Sequence, residues 1–301
     1  MKISACTYVR NGLHYMYPFL ESIQSVLPIV DEYVVVIGDS TDGTREAVMN
    51  LNSDKIIIVD TVWDLKLRTG GKLFAQQSNI ALENTTGDWV LPIQADELIH
   101  EDDIHKLREY IIRYDKDQNV QGLLFPFLNF WGNYFHLQTG RRVHRYEIRA
   151  LRRDPLIRAY KDSQGFRKFS SLENYKQGEK GEKLNVAKID IPVYHYFKTR
   201  PPRKMKEKSI FFASFYHNDE ELSKHVHQGE EFDYHKVDRV EPFQGSHPRI
   251  MGPVIEANNW DFRYDRRKRK IPFRYIFLNT IERLTGWRIG EYKNYRVIKK
   301  S

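Results

Sequence analysis

Cysteine is all but absent from this chain: Cys6 stands alone among 301 residues. One thiol cannot close an intrachain disulfide, and a cysteine-based zinc site is excluded with it. Such usage fits a reducing compartment. Long apolar runs are missing too. No stretch approaches the roughly 20 apolar residues that span a bilayer. Met1–Cys6 reads directly as a strand, without the charged-then-apolar pattern of a signal peptide, so the expected location is the cytoplasm. Zinc-finger spacing and RRM signatures are lacking, so the positive charge does not by itself make a nucleic-acid binder. A metal-dependent nucleotidyltransferase would need a Gly-rich phosphate loop near the first strand. The segment Thr7–Gly12 has one glycine, which disfavours that class.

What is present is the material of a core. Aromatic residues make up 13% of the chain and hydrophobic residues 41%, too rich for disorder. The length suits one large α/β domain with an appended segment, or two small domains. The formal charge is +8, and the excess falls late. Five consecutive cations, Arg266 to Lys270, precede Arg274, Arg283, Arg288, Lys293, Arg296, Lys299 and Lys300. Two readings fit this run: a solvated basic tail, or a patch for an anionic membrane or polyanion.

The first hundred residues alternate strand and helix. Lys2–Tyr8, Tyr33–Ile37, Lys55–Val59 and Trp89–Ile93 read as strands, the second a β-branched run of the kind buried on both faces. Between them fall a helix after Pro18 with Leu20, Ile23 and Leu27 on one side, a helix Thr44–Leu51 with Asp42 as its cap, and a helix Lys72–Leu82. A helix Glu101–Tyr114 follows with acids in its first turn. This alternation predicts parallel βαβ units, whose ligands bind beyond the carboxyl ends of the strands. The residues so placed are Thr7–Asn11, Gly38–Gly43, 60–71 and Gln94–Glu97. Further on, Gly122–Phe130, Tyr146–Leu151 and Val193–Phe197 read as strands, 160–190 as a mobile polar loop, and Pro201–Tyr216 as a helix with a basic first half. Beyond Asn218 the pattern is weak.

Four strand-end segments, in order and in register over residues 1–105, carry a resemblance. They are Thr7-Tyr8-Val9-Arg10-Asn11; Gly38-Asp39-Ser40-Thr41-Asp42-Gly43-Thr44, a form of an S-x-D-G-T loop; Gly70-Gly71-Lys72 with Ala75, Asn79 and Ala81; and Gln94-Ala95-Asp96-Glu97 at the place of a D-x-D segment. Together they resemble the inverting family 2 glycosyltransferases. The resemblance implies a GT-A type, Rossmann-like, mostly parallel sheet flanked by helices. Residues 1–217 would form this domain, with a nucleotide-sugar half (1–120) and an acceptor half (121–217). Residues 218–301 would be a basic accessory segment. Two departures stand out: Gln94 replaces the first D-x-D acid, and Asp39 lies one place after the family's usual nucleotide-contacting Asp.

The implied activity is transfer of a sugar from a nucleotide-diphosphate sugar to a hydroxyl of a glycan, lipid-linked or protein acceptor. Mn²⁺ or Mg²⁺ would neutralise the leaving diphosphate. Asp96 and Glu97 are the expected metal ligands, with His195 as the late histidine completing the shell; capping of the next helix is the alternative use of the acids. Thr7, Asn11, Asp39 and Asp42 are expected at the nucleotide, where Asp42 also shapes the turn. Lys72, Arg200, Lys204 and Lys208 are candidate diphosphate contacts. An inverting transfer needs a carboxylate base, for which Asp162 comes first and Glu147 second. The rival reading is a degenerate transferase fold that binds sugar or polyanion without turnover, kept open by Gln94 and the basic tail. A peripheral contact with anionic membrane is the further expectation.

Overall fold

Four parallel strands form the N-terminal half of the sheet. They are β1 (Ile3–Val9), β2 (Glu32–Ile37), β3 (Ile56–Asp60) and β4 (Trp89–Pro92), joined through α1 (Phe19–Val26), α2 (Thr44–Met49) and α3 (Lys72–Glu83). The protein is represented by a computed structural model that describes residues 1–67, 70–162, 165–226, 229–257 and 260–298. Ser163 and Gln164 of the expected acceptor loop, and Lys299 and Lys300 of the basic excess, lie outside the described residues. The order β3-β2-β1-β4 and its parallel pairing match the alternation read from the sequence. β2 is buried throughout, as its unbroken apolar run requires. Because side chains alternate along a strand, Val35 and Leu91 join the large core with α1, while Cys6, Val34 and Val36 pack with Ala81 of α3 on the other face. Asp42 does close the start of α2, accepting from the backbone and hydroxyl of Thr44, although the capping position itself is Gly43 in the left-handed conformation.

Then come β5 (Glu97–Ile99), α4 (Ile104–Asp115), β6 (Gly122–Trp131), β7 (His136–Gln138), β8 (Tyr146–Arg152), β9 (Ile157–Tyr160), β10 (Gly165–Lys168), α5 (Leu172–Lys176), β11 (Glu182–Lys188) and β12 (Val193–Lys198). β8 runs antiparallel to both β4 and β6 and so carries the sheet onward to β11, β10 and β9. β12 lies parallel to β6 and antiparallel to β5. The stretch 160–190, expected as a mobile loop, instead holds β10, α5 and β11. Its many polar residues are the solvated side of strands whose inward Phe166, Leu184 and Val186 build a second core with Ile157 and Ala159.

The chain ends with α6 (Pro202–Ala213), α7 (Asp219–Val226), β13 (Val240–Pro242), α8 (Gly252–Glu256), α9 (Phe273–Thr285) and β14 (Tyr295–Val297). The segment after 217 packs back onto the body: β13 pairs with β7, β14 pairs with β11, and Trp131 Nε1 donates to the Tyr234 carbonyl at 3.0 Å. Arg288, counted with the basic excess, is buried against Glu282 and Glu291. Among the described residues no helix is long and apolar enough to cross a membrane.

Candidate active site

The carboxyl ends of β1 and β4 open into a cavity of about 640 Å³, the position at which open α/β sheets bind ligands. β1 contributes Tyr8, Val9 and Arg10, and the turn after β4 contributes Gln94 to Glu97. β6, β8, β12 and α6 complete the wall. Six of the candidate site residues singled out in the sequence meet here: Asp96, Glu97, Glu147, Asp162, His195 and Lys208.

Asp96 is buried, and charge closes around it. Lys208 of α6 donates to its Oδ2 at 3.2 Å, and His195 Nε2 faces Oδ1 at 3.8 Å. Burial alone would raise this carboxyl, but the Lys208 and Arg200 cations outweigh it and hold it down at about 2. The register explains the meeting, since His195 pairs across the sheet with Glu97 of β5 on one side and Asn129 of β6 on the other. Asn129 is buried, donates from Nδ2 to the His144 carbonyl at 2.9 Å, and so turns its Oδ1 to His195 Nδ1, also at 2.9 Å. An acceptor at Nδ1 places the proton there and leaves Nε2 with its lone pair toward Asp96. Burial also lowers the titration of the imidazole, against the pull of Asp96 and Glu97.

Glu97 does not join this pair. It was expected as a second metal ligand, but both its oxygens are held by the Arg149 guanidinium, at 2.5 and 2.7 Å, in a bridge almost wholly removed from water. Asp96 ends the turn and Glu97 begins β5, and the two side chains meet different partners, Lys208 and Arg149. Among the described residues no group of three or more His, Cys, Asp or Glu side chains is placed to hold a metal ion. Asp96 and His195 remain as a two-donor set. Magnesium at phosphate sites commonly takes one or two carboxylates, with phosphate and water oxygens filling the rest; here Asp96 is the one carboxylate, and Lys208 already donates to it.

Glu147 and Asp162 face the same cavity. Burial pushes the Glu147 carboxyl up to about 8, with Arg149 opposing and Glu97 and Asp162 adding to the rise. Its Oε1 lies 3.2 Å from His144 Nδ1. Asp162 follows β9 and accepts from Tyr216 Oη at 3.3 Å. Gly71 makes that approach possible, since a Cβ there would stand 2.6 Å from Asp162 Cβ and 2.9 Å from the Tyr216 ring. Its φ of +69° suits glycine as well.

An aromatic wall that the sequence reading missed lines the side toward α6. Trp63 stacks on Phe211 with ring centroids 6.2 Å apart, and Phe74 stacks on Phe212 at 5.0 Å. The Arg10 guanidinium lies 5.5 Å from the Trp63 ring and 5.8 Å from Phe211. Gly38 accommodates Trp63, because a Cβ would stand 2.5 Å from the indole nitrogen. The signal was the Phe211-Phe212 and Phe215-Tyr216 doublets on a basic helix. Asn129 was legible as a lone amide inside the apolar run of β6.

The remaining expected donor contacts stand apart from the cavity wall. Asp39 pairs with Arg10, its Oδ2 3.0 Å from Nη2, and accepts from the Trp63 amide; it reaches the cavity through Arg10. Asn11 accepts from the Thr41 amide, and Asp42 from the His14 amide, so both brace the strand-end loops. Thr7 is buried outside the cavity, and Lys72 is exposed at the start of α3. Arg200, expected on diphosphate, donates from Nε and Nη1 to the carbonyls of Tyr15, Tyr196 and Phe197, while its Nη2 is buried without a hydrogen-bond partner among the described residues. Lys204 pairs with Glu207 at 3.0 Å. Arg200 precedes α6 and Lys204 lies in its first turn; Lys208, one turn further along the same face, is buried and reaches Asp96.

The profile described as Glycosyl transferase family 2 matches residues 4–175, more than half of the sequence. The chain belongs to glycosyltransferase family 2, and its sheet flanked by helices is the GT-A type architecture. Solved structures show looser likenesses. TarS from S. aureus is 13% identical, with a TM-score of 0.38, over 75% of this chain and 42% of that one. TarS 1-349 in complex with UDP-GlcNAc is 14% identical, with a TM-score of 0.39, over 75% of this chain and 70% of that one. Mannosyl-3-phosphoglycerate synthase from Rubrobacter xylanophilus is 21% identical, with a TM-score of 0.30, over 43% of this chain and 41% of that one. The chain thus spans less than half of the longer TarS chain. No curated protein matches it.

Proposed function

We propose that this chain transfers a sugar from a nucleotide-diphosphate sugar to an acceptor hydroxyl, with inversion and with help from a divalent cation. One observation carries the reading. In a family 2 chain, Asp96, His195, Lys208, Glu147 and Asp162 converge on a single cavity at the strand ends. Asp96 and His195 would hold Mn²⁺ or Mg²⁺, which when bound neutralises charge on the departing diphosphate. Lys208 stands beside them to meet the same charge. The aromatic wall with Arg10 offers a flat, electron-rich surface of the sort nucleobases stack on.

Direct displacement inverts the attacked carbon and needs a base for the acceptor proton. Glu147 keeps its own proton at neutral pH, which leaves Asp162 as the proton acceptor in this reading. Turnover of a panel of nucleotide sugars with Mn²⁺, followed as release of free nucleoside diphosphate, tests the proposal. Binding without release would favour the second reading, a degenerate transferase fold. Gln94 at the D-x-D position and the capture of Glu97 by Arg149 are what support that rival.

A further inference from the structure

Helix α9 is built inside out. Its polar residues Asn279 and Glu282 face the protein and are buried. Asn279 donates to Asp238 at 3.4 Å, and Glu282 takes Arg141 at 3.1 Å and Arg288 at 3.5 Å. Helical spacing puts Phe273, Phe277 and Leu284 together on the opposite side. They are 77%, 58% and 81% exposed, and Trp287, just past the end of the helix, is 65% exposed. A water-facing helix normally carries its charges there and hides its apolar stripe. A contiguous apolar face of large side chains marks an interaction site.

Cations frame this stripe. Arg274 and Arg283 are exposed on the flanks of α9, and Arg266, Arg267, Lys268 and Lys270 are exposed just before it. The helix has one acidic residue, Glu282, and that one is turned inward. We propose that α9, with Trp287 and the basic run before it, docks the chain on an anionic lipid surface. The apolar side chains would enter the boundary between headgroups and acyl chains while the cations meet lipid phosphates and carboxylates, the arrangement of interfacial amphipathic helices. The charge also argues against self-association, because two copies joined through this face would bring their arginines together. The inner side of the helix reaches the active-site cavity: the Arg142 guanidinium, which lines it, lies 6.0 Å from the Tyr275 ring. The docking itself does not depend on the sugar-transfer reading.

Cosedimentation of the full chain with phosphatidylcholine vesicles, with and without about 30% phosphatidylserine, tests this. Binding is expected to the anionic vesicles, and Trp287 emission is expected to shift to the blue, a change lost in Trp287→Phe. Phe277→Ser with Leu284→Ser should weaken binding at least about tenfold by removing apolar area. Arg266→Ser and Arg267→Ser should each cost about fivefold. All four positions are exposed, so the melting temperature should hold. Equal binding to neutral and anionic vesicles would overturn the proposal, as would binding undiminished in the folded double variant. A dimer in sedimentation equilibrium that the double variant dissolves would instead assign the face to a second copy. If the double variant does not fold, quenching of Trp287 by brominated lipid in the wild-type chain still decides: quenching supports docking and its absence refutes it.

Discussion

Glu147→Gln should abolish a pH dependence of stability that the wild-type chain carries. In the folded protein this carboxyl sits in the cavity with its titration raised from 4.5 to about 8, chiefly by burial. The folded state therefore holds the proton more tightly than the unfolded one. The stability this provides is complete below pH 4.5 and is lost as pH rises through about 8. At ~1.36 kcal/mol per pH unit, the full loss is about 5 kcal/mol, of which about 3 kcal/mol falls between pH 6 and pH 9. A chain of 301 residues unfolds with an entropy near 0.6 kcal/mol/K, so this window corresponds to about 5 °C in melting temperature. Gln keeps the shape and cannot ionise. Thermal melts of both proteins at pH 6 and pH 9 should show the wild type falling about 5 °C further than the variant. Parallel curves would refute the raised titration and, with it, the argument that leaves Asp162 as the base.

Asp162→Asn should lower transfer by about 10²–10⁴-fold while sparing donor binding, whereas Glu147→Gln should leave the rate at pH 7 nearly unchanged; a product retaining the donor's anomeric configuration would exclude direct displacement. Asp96→Ala should abolish Mn²⁺-dependent nucleotide-sugar binding in isothermal titration, and unchanged affinity would remove it from the metal role. Asn129→Leu should weaken Mn²⁺ binding about 10–100-fold by releasing the His195 tautomer, seen in the unloaded protein as a change in the imidazole nitrogen shifts; identical shifts would detach Asn129 from that task. Arg149→Met should cost about 3–5 kcal/mol in urea unfolding by stranding the Glu97 charge, with much of the loss recovered when Glu97→Gln is added; no recovery would mean that packing dominates.

The βαβ half of this protein was legible because its instructions are local. Apolar runs such as Tyr33–Ile37 can only be buried strands, and the strand-end motifs lie close in sequence to the strands they follow. Asp96, His195, Glu147 and Asp162 stand out as candidates through the family resemblance, with Asp96 also marked by its place after a buried strand. Their partners do not. Whether an acid binds metal or spends itself on an arginine depends on which strand lies beside it, and residue 149 comes to Glu97 only after β8 runs antiparallel to β4 and β6. The same holds for Arg200, whose Nε and Nη1 donate to backbone carbonyls, and for Lys208, which lies one turn beyond Lys204 on the same helix face and reaches Asp96. Past residue 217 the pattern was weak because β13 and β14 gain their order from strands more than a hundred residues earlier. Composition alone revealed that the late segment was basic. That α9 turns its carboxylate inward and its phenylalanines outward was decided by the buried Arg141, Arg288 and Asp238, which offer a polar seat where most helices find an apolar one.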